Sequence, residues 1–568
     1  MKATDCIVRF LEACGIEYVF GYQGGMITHL VDSLSKSCKV KFVQCYHEQS
    51  AAFAAEGYAR ASGKFGVCIT TSGPGATNAV TGMGDAYFDS VPVLYISGQV
   101  NTYEYKYGAM VRQRGFQETD IVSIARPIMK WARLADDPAR LAEDLAEAVR
   151  TMLSGRKGPV LIDLPMDVQR AELADAEHLR APRAAARMEI ADTDAEAVAA
   201  ALSKANRPFV ICGGGASDPE VSSLAAEFLS RTGIPYAVSL MGKGNVSEDA
   251  EGFVGMIGSY GNRAANLALS ESDLVLCVGS RLDLRQTGNR KSPLLNDILF
   301  VRIDVDGHEA TENPMPNQLH VHADVTSFFR HPAARRLGRL ASGDWHSRIT
   351  WLGEVRSQHE DVERHAANKT PYKVLEAISR HAAEDALFTV DIGQNQMWSA
   401  QILSCGSRRS FMTSGGMAPM GYAIPVAVGA AFANPGRQVV CICGDGGFHI
   451  ALQSLMLISQ YKLPICVIVM NNRALGMITQ FQSLYFNGNM AGTTENGGYA
   501  VPDIECLARA YGLPYRLVRS AADMDAEAIR GPSLVEVDLG GLTTVVPKLE
   551  FNKALDDMTP AWPLDDDA

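Results

Sequence analysis

The sequence predicts an α/β protein made of three doubly wound parallel-sheet domains. Short β-branched apolar runs alternate with segments of helix length, and such uninterrupted runs are typical of strands buried on both faces of a parallel sheet. Two stretches that are poor in large apolar residues or lack a strand signal, 180–191 and 342–370, are predicted to be linkers. The 568 residues allow each domain its own core. We therefore expect domains at 1–180, 190–340 and 365–545, followed by a tail at 546–568.

Ten short runs are the strand candidates behind this prediction. They are rich in Val, Ile, Leu, Phe or Cys, and polar or glycine-containing turns follow them. The helical segments between them favour successive strands that lie parallel in one sheet. In chain order the candidates are 40–45, 66–70, 91–97, 160–164, 209–212, 274–278, 299–305, 387–390, 439–443 and 465–470.

The charge balance disfavours two classes of partner. The chain has 52 Lys and Arg against 64 Asp and Glu, a formal net charge of −12. A net negative charge repels nucleic acid and anionic membranes, so neither is expected as a partner. An anionic ligand must instead be held by local groups such as backbone N–H groups, a metal ion or single arginines.

The cysteines and the lengths of the apolar segments indicate the cellular compartment of the protein. Most of the twelve cysteines lie inside apolar runs and show no CxxC spacing, which favours buried, reduced thiols over disulfides or zinc sites. No apolar stretch approaches the ~20 residues of a membrane helix, and the N-terminus runs directly into an amphipathic helix pattern. We expect a cytoplasmic protein whose binding partners are small molecules.

Two polar turns near the C-terminus predict a metal site. The strand at 439–443 runs into Gly444-Asp445-Gly446-Gly447, and the strand at 465–470 ends in Asn471-Asn472. In a βαβ unit both strands end at the same edge of the sheet, so Asp445 and Asn472 can converge there. Their oxygens suit Mg²⁺, and the glycines let the backbone approach phosphate. The alternative is that both motifs are ordinary turns.

The segment from Gly444 to Asn472 resembles the cofactor-binding motif of thiamine-diphosphate-dependent enzymes, which opens with GDG and closes with NN. The resemblance implies Mg²⁺ bound by Asp445, Asn472 and the backbone carbonyl of Ala474. It also implies that the three domains are a pyrimidine-binding domain, a central Rossmann-like domain and a diphosphate-binding domain.

Such an enzyme needs a carboxylate against the aminopyrimidine ring of the cofactor, and Glu48 is the candidate. It follows a strand and opens an Ala-rich helix, so the alternative is a first-turn glutamate that stabilises the helix dipole. The loop 72–78 (SGPGATN), with Pro74 and Asn78, matches the family loop beside the pyrimidine. In these enzymes the two half-sites belong to different subunits, which implies at least a homodimer, with a homotetramer expected.

The resemblance extends over about residues 1–550 and is closest to the acetohydroxyacid (acetolactate) synthase branch. Residues 21–25 (GYQGG) and 115–120 (GFQETD) match segments that line the substrate pocket of that branch, which implies catalytic roles for Gly25, Phe116 and Gln117. Further matches imply thiamine-diphosphate contacts at Gly393, Gln394, Asn395, Ala418, Met420, Gly446, Gly447 and Met477.

The middle of the chain resembles the flavin-binding part of the same branch, most specifically over 279–288 (GSRLDLRQTG). The resemblance implies FAD with a structural role, and Arg281 and Arg285 are available for its phosphates. The alternative is a Rossmann-like domain without cofactor. The implied FAD positions are Asp120, Gly213, Gly214, Gly215, Ser239, Leu240, Met241, Gly255, Met256, Gly279, Arg281, Asp283, Arg285, Asp304, Val305 and Asp324.

Three positions bear on the acceptor substrate. In the family the residue matching Arg285 holds the carboxylate of the acceptor keto acid, and here Arg is kept. Phe481 replaces a Trp of the acceptor pocket, and Met166 replaces a Lys. The C-terminal tail looks more like carboligases of sugar-biosynthesis clusters, which use a nucleotide-linked ketosugar as acceptor; that likeness is an analogy at the level of the fold.

The resemblance therefore implies that pyruvate or a similar 2-oxo acid is decarboxylated and its two-carbon unit joined to a second carbonyl. Three hypotheses stay open: an acetolactate-synthase-type enzyme with a keto-acid acceptor, the same donor chemistry with a ketosugar or other carbonyl, and a non-catalytic homologue. Intact Glu48, Asp445 and Asn472 disfavour the third.

Overall fold

A computed structural model describes residues 1–173, 181–182, 186–288, 293–406 and 408–562. Within them the chain forms three six-stranded sheets, and every strand pair in them is parallel, which confirms the predicted fold class. The N-terminal sheet has the order β2-β1-β3-β4-β6-β5, the central sheet β12-β11-β10-β7-β8-β9 and the C-terminal sheet β14-β13-β15-β16-β18-β17. The strands are β1 Tyr18–Gly21, β2 Lys41–Gln44, β3 Gly66–Thr70, β4 Val93–Gln99, β5 Trp131–Leu134, β6 Val160–Pro165, β7 Pro208–Cys212, β8 Tyr236–Val238, β9 Phe253–Met256, β10 Leu274–Val278, β11 Leu299–Asp304, β12 Gln318–His322, β13 Leu387–Val390, β14 Ser410–Met412, β15 Val439–Gly444, β16 Ile465–Asn471, β17 Tyr515–Val518 and β18 Ser533–Asp538.

Helices connect the strands and cover the faces of the sheets, as parallel pairing requires. In the described residues they are α1 Ala3–Ala13, α2 Thr28–Ser35, α3 Glu48–Ser62, α4 Pro74–Asn78, α5 Val80–Phe88, α6 Ile121–Ala125, α7 Leu141–Leu153, α8 Met166–Arg170, α9 Asp192–Lys204, α10 Pro219–Thr232, α11 Arg263–Glu271, α12 Leu284–Thr287, α13 Gly307–Glu312, α14 Val325–Arg330, α15 Pro332–Arg335, α16 Gly343–Val355, α17 Gln358–His365, α18 Thr370–His381, α19 Gln394–Ile402, α20 Ala423–Ala433, α21 Asp445–Ile450, α22 Leu455–Tyr461, α23 Gly476–Tyr485 and α24 Ile504–Ala510.

The ten candidate strands all form, with ends within two residues of those expected. The central strands β3, β4 and β16 are buried at every residue, because helices cover both faces of their sheets. Burial on both faces explains why their sequences are mostly apolar, with polar residues confined largely to the carboxyl ends of the strands. No described helix combines the length and the apolar character that crossing a membrane requires.

The segment 342–370, predicted to be a linker, is not an irregular connection, because it forms the helices α16 and α17. Trp345 and Leu352 of α16 are buried, and the Trp345 indole N–H donates to the backbone oxygen of Pro208 at 3.0 Å. The segment is therefore packed against the central sheet despite its many charges. The other predicted linker, 180–191, lies partly outside the described residues.

The N-terminal and C-terminal units meet where α3 packs against α20. A Cβ at Gly57 of α3 would lie 2.3 Å from the backbone oxygen of Val426, and one at Gly429 of α20 would lie 1.9 Å from that of Ala54. Neither position has room for a side chain. The Ala-rich composition of α3 is thus explained by two helix backbones in close contact.

Three carboxyl groups are gathered at this junction, and we call Glu56, Asp85 and Asp89 the junction acids. One oxygen of each lies within 4.8 Å of the others. Glu56 accepts a hydrogen bond from the Tyr422 hydroxyl at 2.7 Å, and Asp85 accepts one from the Ser414 hydroxyl at 2.5 Å. Burial raises the pKa of Glu56 to about 7, and burial with the nearby charge of Glu56 raises the pKa of Asp85 well above its ordinary value. The folded protein therefore retains protons that the unfolded chain releases.

We expect the free energy of unfolding to fall as the pH rises from about 4.5 through 7, because a raised carboxyl pKa stabilises the fold only while the group is protonated. Asp85→Asn removes one of the mutually repelling charges. The variant should be more stable than the wild type at pH 8, by on the order of 1–3 kcal/mol. Denaturant unfolding at pH 5 and pH 8 measures this difference, and pH 5 is the internal control because Glu56, with a pKa of about 7, is mostly uncharged there and repels Asp85 little. Equal pH dependence in both proteins would contradict the expectation.

Candidate functional site

The parallel pairing of β15 and β16 places the two predicted metal-binding turns side by side. Gly444, the last residue of β15, is paired with Met470 near the end of β16. Asp445 and Asn472 therefore leave neighbouring strands at the same edge of the sheet. β13 and β15 are neighbours in this sheet, and the chain continues from β13 to β14 on one side and from β15 to β16 on the other. The two turns lie beside this reversal of the strand order, which is the usual place for a ligand in an open α/β sheet.

Asp445 has one carboxylate oxygen bonded and one free. Only 2% of the residue is exposed, and its Oδ1 accepts a hydrogen bond from the Tyr499 hydroxyl at 2.7 Å. Its Oδ2 is buried and has no hydrogen-bond partner of ordinary geometry among the described residues. Burial raises the pKa of the carboxyl, and the Tyr499 hydroxyl and the nearby backbone N–H groups of Arg473, Gly446 and Ala474 oppose that rise. A buried carboxylate oxygen without a partner is costly, and a divalent cation would remove the cost. The site therefore fits Mg²⁺.

Asn472 and Ala474 complete the predicted ligand set. The Asn472 side-chain N–H group donates to the Gln394 Oε1 at 3.2 Å and to the Thr543 hydroxyl at 2.9 Å. These two bonds fix the orientation of the amide, whose oxygen accepts from the Ala474 N–H at 3.1 Å. Arg473 between them has a φ of 55°, a left-handed turn that directs the chain from one ligand position to the next.

The glycines after Asp445 leave no room for side chains. A Cβ at Gly446 would lie 2.6 Å from the Met420 terminal methyl carbon, and one at Gly447 would lie 2.6 Å from the Asp391 Oδ1. Asp391 is itself buried and accepts backbone hydrogen bonds from Gly421 and Ala423. Burial raises its pKa to about 6. Asp391 therefore joins the end of β13 to the turn that carries Met420.

Asn395, a predicted thiamine-diphosphate contact, bonds within the protein. Its side-chain N–H group donates to the backbone oxygen of Asp391 at 2.7 Å. Its Oδ1 lies 2.8 Å from where a Cβ of Gly393 would be and 3.2 Å from the same point at Gly444. One of its N–H donors is thus used to hold the turn, and one remains for a ligand.

These turns enclose a cavity of about 330 Å³. Arg285, from the central unit, lines this cavity together with residues of the C-terminal unit. The predicted site residues in its wall are Arg285, Gly393, Gln394, Asn395, Ala418, Met420, Asp445, Gly446, Gly447, Asn472, Ala474 and Met477.

Glu48 lies in a second cluster, at the carboxyl edge of the N-terminal sheet. It is the first residue of α3, 8% exposed, and its Oε2 accepts a hydrogen bond from the Asn78 amide at 3.0 Å. A Cβ at Gly75 would lie 3.2 Å from its Oε1, and Pro74 begins the helix α4 that carries Asn78. Glu48 is not among the residues that line the cavity.

The other predicted residues of the N-terminal unit follow strands of the same sheet edge. Gly25 comes after β1, and the neighbouring Met26 N–H donates to the Thr71 hydroxyl at 3.2 Å. Gln117 has a φ of 64°, and its backbone oxygen would lie 3.1 Å from a Cβ at Gly73, in the loop beside Glu48. Gly25 and Gln117 are therefore linked to the Glu48 cluster through the loop after β3. Phe116 projects outward and is 80% exposed.

The residues predicted to hold FAD lie at or near the carboxyl ends of the central strands. Gly213–Gly215 follow β7 and Gly279 follows β10, at the point where the strand order reverses. The Gly213 N–H donates to Val278 and the Gly215 N–H to Gly279, at 2.8 and 2.9 Å. The remaining central positions are Ser239, Leu240 and Met241 after β8, Gly255 and Met256 in β9, Arg281 and Asp283 after β10, Asp304 and Val305 at the end of β11, and Asp324 after β12.

Several charged members of this set already have partners within the protein. Arg281 pairs with Asp283 at 3.3 Å, and Asp283 also caps α12, the helix of Arg285. Asp324 caps α14 and pairs with Arg187 at 3.0 Å. Asp120 in the N-terminal unit caps α6.

Phe481 and Met166 are outside the cavity wall. Phe481 on α23 is 46% exposed, and its ring packs against Tyr485 with ring centroids 4.8 Å apart. Met166 opens α8 in the N-terminal unit and is half-buried. The chain therefore brings Arg285, but not these two, to the predicted metal site.

Sequence reasoning missed two contacts of this site. The Tyr499 hydroxyl bonds Asp445, and the Thr543 hydroxyl bonds both Asn472 and Gln394. Neither residue lies in a recognisable motif, so no local pattern could have indicated them.

Comparisons with known proteins assign all three units of the chain to one family. Three domains of thiamine pyrophosphate enzymes match it: the N-terminal TPP binding domain over residues 1–124, the central domain over 195–331 and the C-terminal TPP binding domain over 391–537. The chain is 35% identical to the acetolactate synthase isozyme 2 large subunit of Escherichia coli (strain K12), over 96% of this chain and 97% of that protein. It is 34% identical to the acetolactate synthase large subunit of Porphyra purpurea, over 94% and 90%. It is 32% identical to that of Lactococcus lactis, over 98% and 96%.

Proposed function

The chain belongs to the acetolactate synthase-like family of thiamine pyrophosphate enzymes, and from this premise we propose that it is a carboligase acting on pyruvate. The enzyme would decarboxylate pyruvate and transfer the two-carbon unit to a second 2-oxo acid. One observation carries the proposal: the unpartnered buried Oδ2 of Asp445 lies in the wall of a cavity that Arg285 also lines. That cavity would combine a cation site with an arginine that binds a substrate carboxylate.

Thiamine diphosphate, when bound, supplies the nucleophilic carbon and the electron sink for decarboxylation. Asp445, Asn472 and the Ala474 carbonyl would hold Mg²⁺ and, through it, the diphosphate. The Met420 and Met477 side chains would exclude water from the reacting carbon, which disfavours simple protonation. Glu48, oriented by Asn78, would exchange the proton that activates the cofactor. The Arg285 guanidinium would bind the acceptor carboxylate.

We propose that the active unit is at least a homodimer and that a homotetramer is its expected form. The reason is that Glu48 is held at the start of α3 by Asn78 but does not line the cavity of its own chain. Glu48 of the partner subunit would complete the cavity. Phe116, Gln117 and Met166 lie at the carboxyl edge of the same N-terminal sheet as Glu48, and they would enter the pocket with it.

Each of the three sheet domains has its own binding role in this proposal. We propose that residues 1–180 bind the pyrimidine, 190–340 form the FAD-binding-like domain, 365–545 bind the diphosphate and metal, and 546–568 are a tail. The described part of the tail packs back on the central unit, where Arg263 donates to the Pro560 oxygen at 2.7 Å. A cytoplasmic location suits the twelve cysteines, which are all free and of which nine are buried.

Pyruvate turnover in the presence of thiamine diphosphate and Mg²⁺ tests the function. Acetolactate as the sole product is expected. CO₂ release that requires an added ketosugar or other carbonyl would instead indicate a different acceptor, an alternative that the comparisons do not support. Absence of turnover with any 2-oxo acid would overturn the carboligase proposal.

FAD is proposed as a structural cofactor of the central unit. The glycine loops after β7 and β10 fit it, because they meet at the reversal point of the sheet where dinucleotides bind. We expect the purified protein to be yellow, with the absorption spectrum of a flavin and a near-stoichiometric content after denaturation. A colourless protein that takes up no added FAD would contradict this, without touching the thiamine-diphosphate proposal.

A further inference from the structure

One short segment holds two of the three predicted metal ligands. We call residues 493–499 the clasp. The Thr493 backbone oxygen accepts a hydrogen bond from the Leu475 N–H at 3.0 Å, and Thr494 forms an antiparallel bridge with Ala474. The clasp thus fixes the backbone at Ala474, whose carbonyl is a predicted ligand. At its other end Tyr499 contacts Asp445.

The Tyr499 hydroxyl occupies one side of the Asp445 carboxylate. It donates to Oδ1 at 2.7 Å, while Oδ2 is buried without a partner. The same hydroxyl would lie 3.2 Å from a Cβ at Gly446, so it is seated directly over the glycine turn. With Oδ1 bonded to Tyr499, Oδ2 is the oxygen that Asp445 presents to a cation without a competing hydrogen bond. A partner that occupies one ligand oxygen in this way orients the other and tunes metal affinity.

The position of Tyr499 depends on the turn before it. Residues 495–497 form a single helical turn, and Gly498 follows with a φ of 96°, a conformation that favours glycine. Apart from its two chain neighbours, no atom of the described residues lies within 4 Å of where a Gly498 Cβ would be. Alanine at this position would therefore strain the backbone without a clash, and it would displace the hydroxyl without removing it.

We propose that Tyr499 is a positioning residue for the metal, because its hydroxyl orients the Asp445 carboxylate so that a single oxygen faces the cation. The proposal rests on the proposed Mg²⁺–thiamine diphosphate site and deepens it. Tyr499 acts through Asp445 and does not itself touch the substrate.

Tyr499→Phe tests the proposal, because it removes the hydroxyl and keeps the ring. We expect the apparent Kd for Mn²⁺, measured by the electron paramagnetic resonance signal of free Mn²⁺ with thiamine diphosphate present, to rise about 10- to 100-fold. At saturating Mg²⁺ the kcat should return close to the wild-type value, which a general loss of structure would not allow. The metal-free variant should unfold at a slightly lower temperature than the wild type, because Asp445 Oδ1 loses its hydrogen bond, but its unfolding should stay cooperative.

Tyr515→Phe is the matched control. The Tyr515 hydroxyl also donates to a carboxylate at 2.7 Å, that of Glu536, which lines no part of the cavity described above. Its Mn²⁺ affinity should equal that of the wild type. Gly498→Ala should weaken Mn²⁺ binding in the same direction as Tyr499→Phe, and the double variant should bind no more weakly than Tyr499→Phe alone.

The outcomes distinguish a failure of the role proposed for Tyr499 from a failure of the proposed function. If the wild type binds Mn²⁺ with thiamine diphosphate and Tyr499→Phe binds it equally well, the positioning role is overturned and the proposed function stands. The role is also overturned if Tyr515→Phe loses as much affinity as Tyr499→Phe. If the wild type binds no Mn²⁺ with thiamine diphosphate, the proposed function itself fails.

Discussion

Glu48→Gln should lower the kcat for pyruvate by about 10²- to 10⁴-fold, the range expected when a positioned proton-transfer group is removed. The amide has the same shape and can still accept the hydrogen bond from Asn78, so the fold and the binding of thiamine diphosphate should persist. What is lost is a group that exchanges a proton with the cofactor. Steady-state kinetics with pyruvate, together with cofactor titration, measure the two effects separately.

Glu56→Gln is the matched control for this result. Glu56 lies on the same helix, α3, but it is fully buried and bonded to Tyr422 at the junction of the two units. Its replacement should leave the kcat for pyruvate near the wild-type value. A Glu48→Gln variant with wild-type rates would refute the assignment of Glu48.

Asp445→Asn should lower the affinity for Mg²⁺ with thiamine diphosphate by about 100-fold or more, because the site loses its only charged ligand. In the absence of ligands the variant should unfold at a temperature no lower than the wild type. The reason is that a buried carboxylate with one unpartnered oxygen costs stability. Calorimetric titration gives the affinity, and thermal unfolding with and without both ligands gives the stability. A rise in Tm on adding ligands that is as large as in the wild type would contradict the metal role of Asp445.

A mixture of the two variants provides a joint control. In a dimer whose sites combine Glu48 of one subunit with Asp445 of the other, a mixed dimer has one site with both residues intact. Co-refolding or co-expression of Glu48→Gln with Asp445→Asn should therefore restore activity that neither variant has alone. No recovery in verified mixed dimers would mean that each site is built within a single chain.

The sequence correctly predicted which polar residues lie together where those residues directly follow neighbouring strands of a sheet. Asp445 and Asn472 are 27 residues apart, but they directly follow neighbouring parallel strands, so the strand–helix–strand pattern predicted that they meet. The fold class followed from apolar runs without alternation such as that of β10, because strands buried on both faces have no polar side.

Prediction failed where side chains rather than strand ends decide the structure. The 342–370 stretch carries many charges, and its helices form because a few apolar residues such as Trp345 and Leu352 pack on the central sheet. Nothing in the sequence near Tyr499 or Thr543 marks them as partners of Asp445 and Asn472.

By itself the sequence determined the three parallel sheets, the family and the turns that carry Glu48, Asp445 and Asn472. These features depend on local periodicity and on spacing along successive strands, which the amino-acid order records directly. Only the tertiary structure decided that Arg285 of the central unit lines the cavity of the C-terminal unit, that Glu48 does not, and that Tyr499 leaves one oxygen of Asp445 unpartnered. Those contacts join residues distant in the chain, and they depend on how whole units and loops pack, which no local pattern encodes.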